Sequence, residues 1–416
     1  MIKNISLLLV ILWTSFIFSQ VQDETHAPNY IKSIQFLGSS NITGNPIVPL
    51  GEKLTLEFDD IIGDEADYYY TIEHYDYNWK PSEIVKSEYL EGFDNTRITD
   101  YTNSFNTLQP FTHYKLTIPN SDTKGLTISG NYMLKIFNSN KELLFSRKFM
   151  VFQPIAQVAV TIKRSRNLNF INSKQVVNFT VNSPDFLLRN PNQTVKILIL
   201  KNYNLKTAIK DTQPQYNIGN ELIYKYDQKT AFWAGNEYLY FDSKDVRSST
   251  ISIRKIELFD LYHHYLFTDR SSDTEPYTYN PDINGQFVIR TLQGVNSSIE
   301  GDYIWTHFSL ENFDPLDGGE IHLYGAFNNY EIDDSTLMTY NKLSGLYENA
   351  QLFKQGFYNY KYVLVKKDGS IDENFFSGNF DKTENDYQVL VYFRDLGSRY
   401  DKIIGLGTAN SINITN

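Results

Sequence analysis

The side chains that could do chemistry in this chain are few, and their spacing works against them. His263 and His264 are adjacent; neighbouring side chains on a strand point to opposite faces, so the two cannot chelate one ion together. Glu73, His74 and Asp76 would suit general acid/base work. The odd spacing of the two carboxylates puts them on opposite faces of a strand, and catalysis would need the chain to bend between them. Asp314, Asp317 and Glu320 cluster around Gly318-Gly319. They lack the Asp-x-Asp-x-Asp-Gly spacing of a calcium loop and read as a solvated turn. Asp282-Ile283-Asn284-Gly285 reads as a hairpin turn. The sequence holds no Gly-x-Ser-x-Gly elbow, phosphate-binding glycine loop or His-Glu-x-x-His helix. With Cys 0, disulfides, thiolate catalysis, iron–sulfur clusters and cysteine-ligated zinc are excluded together. The residues predict no enzyme, no cofactor and no metal.

The elements that must carry these residues are strands. Leu54, Leu56 and Phe58 alternate with Lys53, Thr55 and Glu57. Val177, Phe179 and Val181 do the same, as do Val158, Val160 and Ile162, and Val389, Val391 and Phe393. Val195, Ile197 and Ile199 share a face, although Leu198 breaks the polar side. Turn chemistry recurs between such runs at Gly44-Asn45-Pro46, Asn284-Gly285, Gly318-Gly319 and Asp368-Gly369. No stretch after residue 20 holds a convincing apolar 3.6-residue period over three turns. The expected fold is all-β: three consecutive antiparallel immunoglobulin-like β-sandwich domains after a signal peptide.

Composition agrees. The chain has 416 residues, 41% hydrophobic and 21% charged, enough to bury sizeable cores. Its net charge of −11 argues against nucleic acid or an anionic membrane surface as the main partner. Lys3 and the apolar run Leu7 to Phe18, followed by Ser19-Gln20, have the layout of a secretory signal peptide over residues 1–20. The run is shorter than the roughly 20 residues a span requires, so no membrane insertion is expected. Punctuation places the first module at 27–153, the second at 154–295 and the third at 296–406, with a loose polar tail over 407–416.

One segment of the first module is unusual. Tyr68 to Ser82, with Tyr77, Trp79 and Lys80, is followed by Glu88 to Asp94, containing Phe93, and then by Tyr101 and Phe105 in Asp- and Asn-rich surroundings. Large aromatics with polar handles are what a protein-binding surface uses. Those six residues are the partner-binding candidates.

The stretches Tyr70 to Ser82, Glu88 to Phe93, Ser104 to Tyr114, Asp302 to Phe308 and Gly378 to Tyr387 resemble the plug protein family of the type IX secretion system, found in Bacteroidota. The resemblance implies a non-enzymatic periplasmic protein at the inner side of the outer membrane. It would sit against the periplasmic opening of the translocon β-barrel and occlude it in the resting state. In the third module, Glu320 to Tyr330, with Gly325-Ala326-Phe327-Asn328, is similar to a strand of glycogen- and starch-binding sandwich modules. That similarity implies an early-set sandwich. It also supplies an alternative function, a periplasmic glycan-binding protein acting through Tyr330.

Overall fold

The computed structural model describes residues 21–38 and 46–414. The signal peptide expected over 1–20 and most of the Gly44-Asn45-Pro46 turn lie outside them. The chain is almost entirely β, as the alternation predicts, and none of the described helices is long and apolar enough to cross a membrane.

In the first sandwich one sheet orders the strands Ile31–Gly38, Leu54–Asp60, Thr112–Ile118 and Asp100–Asn103. The facing sheet orders Ile47–Pro49, Leu143–Phe152, Gly130–Phe137, Tyr69–Tyr75 and Thr96–Arg97. The period-two pattern sets the register: Leu54, Leu56 and Phe58 lie opposite Ile118, Leu116 and Tyr114, all buried. A slip by one residue would turn this whole row to solvent. Each such side chain contributes roughly 1.5–3 kcal/mol through burial.

The second and third sandwiches are nested, not consecutive. The sheet holding Val195–Lys201 continues through Asp386–Phe393 to Lys402–Asn410. It faces a sheet of Gln157–Arg164, Lys174–Asn182, Glu221–Tyr224 and Tyr216–Ile218. Val389, Val391 and Phe393 therefore belong to the second core, beside Ile197 and Ile199. The third sandwich is inserted between the strands Ala231–Trp233 and Asp386–Phe393. One of its sheets centres on Gly356–Val365, paired with Leu239–Asp242, Phe287–Ile289 and Glu320–Tyr324. The other orders Ile253–Leu258, Tyr262–Leu266, Tyr303–Glu311, Leu346–Lys354 and Thr339–Asn341. The boundaries expected at 295 and 406 thus fall inside this arrangement. Residues 407–410 are strand, not loose tail, and Ser411 is buried with its hydroxyl donating to Thr383 O. The physical reason is that Gly405 and Gly407 let the last strand pass close beneath Gln157–Arg164. A Cβ at Gly407 would stand 2.6 Å from Val158 O.

Candidate functional site

The aromatic run of the first module is the place to begin. Tyr69–Tyr75 ends at Tyr75, and Asp76 then folds the chain into a tight turn, its Oδ1 accepting from the amides of Asn78 and Lys80 at 2.8 and 2.9 Å. The turn drives Tyr77 and Trp79 inward. Tyr77 is 2% exposed; its hydroxyl donates to Ile197 O at 2.6 Å and accepts from Asp211 N at 2.9 Å. Its ring meets Tyr392 edge-on at 4.9 Å. Trp79 is 4% exposed, under the Lys148 ammonium at 4.8 Å. With Met133, Met150, Leu198, Leu200, Leu390 and Ile403 they form a core between the first and second sandwiches. Tyr77 and Trp79 are therefore not available to an outside partner, and Leu198 broke the polar face of its strand because the first sandwich covers it.

The other candidates are more open. Lys80 is exposed, Phe93 is 77% and Phe105 66% exposed, and Tyr101 is half-buried beside Tyr114. The loop carrying Phe105 rests on the third sandwich, with Phe105 N donating to Ile299 O and Leu108 N to Asp302 Oδ1. Glu73 and Asp76 do structural duty. Glu73 pairs with Lys135 at 2.6 Å and accepts from Tyr75, while Asp76 holds its turn.

Tyr330 is buried at 7%, its ring 5.1 Å from Tyr324 beside Val363. Sugar stacking needs an exposed ring face, so the glycan platform expected there does not exist at this residue. Left-handed Asn329 and Tyr330 turn the ring into the domain. Asp314, Asp317 and Glu320 stand exposed around the left-handed Asp317-Gly318 pair, a turn as expected.

The sequence reading missed an aromatic row on the outer face of the third sandwich. His264 is buried and its ring bonds Val246 O at 3.0 Å, while His263 faces the other way, as adjacency requires. His263 then meets His307 across the parallel strands, Nδ1 to Nε2 at 2.8 Å. Tyr265 stacks on His307 at 4.2 Å, and Trp305 lies 6.4 Å from His263. Burial lowers the His307 pKa, and the neighbouring His263 lowers it further. Tyr303, on the same strand face, is wholly buried because the first sandwich covers that end. The available signal was aromatic character on both faces of Tyr303 to Phe308.

No curated protein matches the sequence. A crystal structure of a hypothetical protein from Parabacteroides merdae superposes with a TM-score of 0.90 and 30% identity, covering 94% of this chain and 100% of that one. The BSP domain of a biofilm-associated protein reaches a TM-score of only 0.16 at 8% identity, covering 95% of this chain and 61% of that one, and carries no argument. The model for the type 9 secretion system plug protein first domain matches residues 31–153, the whole first sandwich. The chain belongs to the type IX secretion system plug protein family, which gives it a plug role in that system and a periplasmic, secretion-associated location.

Proposed function

We propose that this protein acts without catalysis as a soluble plug that binds the periplasmic opening of the outer-membrane translocon barrel and occludes it at rest. The observation that carries the reading is the match of residues 31–153 to the plug protein's first domain. The buried junctions support it, since a body that blocks a wide pore must resist deformation. Tyr77 and Trp79 join the first sandwich to the second, and an ion pair between Asp59 and Lys354 joins it to the third. The groups accessible for the contact are Lys80, Phe93, Phe105 and the outer ends of the row at Trp305 and Tyr265. A releasable seal of this kind calls for roughly 1,200–2,000 Å² of interface with few buried charges.

The test is affinity purification of the tagged mature protein from mild-detergent outer-membrane extracts. Stoichiometric recovery of a giant barrel is expected, together with raised permeability to large antibiotics when the plug is deleted. Recovery of the protein alone, with the barrel present in the extract, would overturn the reading.

A further inference from the structure

The chain crosses between the second and third sandwiches twice, and an acidic cluster sits where the crossings meet. Glu237 follows the outgoing crossing and Glu384 precedes the returning strand Asp386–Phe393. Asp282 comes from within the inserted domain. One carboxylate oxygen from each of the three lies within 4.8 Å of the others. Acidic clusters are common without ions, so the state of the neighbouring oxygens matters more. Glu237 is 8% exposed. Its Oε1 accepts from the Tyr277 hydroxyl at 2.5 Å and from Glu384 N at 3.1 Å. Its Oε2 is buried and has no hydrogen-bond partner. Asn284, 7% exposed, directs Nδ2 to Glu384 at 3.3 Å and to Asp386 at 3.2 Å, and its Oδ1 is likewise buried without a partner. A buried acceptor left unmade costs about 1–3 kcal/mol, more when charged, so the unpartnered Glu237 oxygen in a group of three carboxylates calls for a cation.

We propose that Glu237, Asp282 and Glu384 form a calcium site that ties the two crossings to the inserted sandwich. The donors are all oxygen, which suits a hard cation and not zinc or copper. Their separation suits one ion with bonds of about 2.3–2.6 Å and water filling the remaining positions. Burial above all, then repulsion from Asp282 and Glu384, pushes the Glu237 carboxyl up to about 7, which is the strain an ion would relieve. The rival counter-charge is Lys361, buried over the Tyr238 ring at 4.1 Å. Sequence motifs do not show the site because its residues stand at 237, 282 and 384.

The full mature chain, stripped of metal, is titrated with Ca²⁺ by calorimetry, and its melting is compared in Ca²⁺ and in chelator. One site with a dissociation constant on the order of 10⁻⁴ M is expected. A tenfold excess over that value should raise the melting temperature by about 3 °C. Terbium should bind with luminescence sensitised by Tyr277. Glu237→Gln should remain folded and lose the calcium-dependent shift; Glu384→Gln, at a half-buried position, should weaken binding at least tenfold and serves if the first variant misfolds. Absence of calcium binding and of terbium luminescence in the unmutated protein would mean that Lys361 alone balances the cluster. An equal calcium shift in both variants would place the ion elsewhere. Either result overturns the site.

Discussion

Lys354 Nζ stands 2.6 Å from Asp59 Oδ2, and both side chains are 1% exposed although 295 residues separate them. The pair spans the first and third sandwiches. Asp59 also accepts from the Tyr303 hydroxyl at 2.7 Å and meets His113 Nδ1 at 2.7 Å, and the ammonium lies 4.0 Å from the Phe111 ring centroid. A buried ion pair adds little over an apolar pair of the same shape, but losing one member strands the other's charge.

Lys354→Met should therefore destabilise the protein by about 3–5 kcal/mol, while adding Asp59→Asn should restore part of that loss. Urea unfolding of the single and double variants checks this. An unchanged midpoint for Lys354→Met would show that the pair does not hold the two sandwiches together.

Tyr77→Phe should cost about 1–3 kcal/mol, because Ile197 O and Asp211 N both lose a partner in a dry interface. Barrel affinity, measured where the variant is fully folded, should be unchanged. Phe93→Ser should behave oppositely, with the same melting temperature and weaker binding. If Tyr77→Phe instead lost binding at full stability, that hydroxyl would be a partner contact.

His74 is buried at 3% exposure among Tyr132, Tyr89 and Tyr400, and burial lowers its pKa from 6.5 to about 4. Between those pH values the unfolded chain takes up a proton that the native chain refuses. Stability should fall as pH drops through that window, by up to roughly 3 kcal/mol from this residue. Burial raises the carboxyls of Glu237 to about 7 and of Asp269 and Asp282 to about 6, which works in the opposite direction. The readout is thus the difference between the native protein and His74→Phe, whose profile should lack this loss on acidification. Parallel profiles would show that His74 is protonated in the fold.

Gly407→Ala should cost about 1–3 kcal/mol, since the new methyl meets Val158 O at a distance real side chains do not tolerate. Removing residues 407–416 should abolish cooperative unfolding of the second sandwich, which loses the pairing of Asp386 to Val389 with Gly407 to Asn410. Circular dichroism melting checks both. A truncated chain that melts like the full one would return these residues to the status of a tail.

The sequence by itself determined the fold class, the first sandwich and the family, because each rests on local information. Alternation at Leu54 to Phe58 names its own buried face, and the Tyr70 to Ser82 pattern is contiguous. Only the tertiary structure decided that Val389 to Phe393 complete the second sandwich and not the third. A strand's pattern states that one face is covered without stating which strand covers it. The same limit hid the roles of the aromatics. Tyr77, Trp79 and Tyr330 have the composition of a binding surface, and a turn at Asp76 and a left-handed pair at Asn329-Tyr330 fold them inside. Leu198 was the exception that pointed to the truth, an apolar residue on a nominally polar face, since only another domain could cover it.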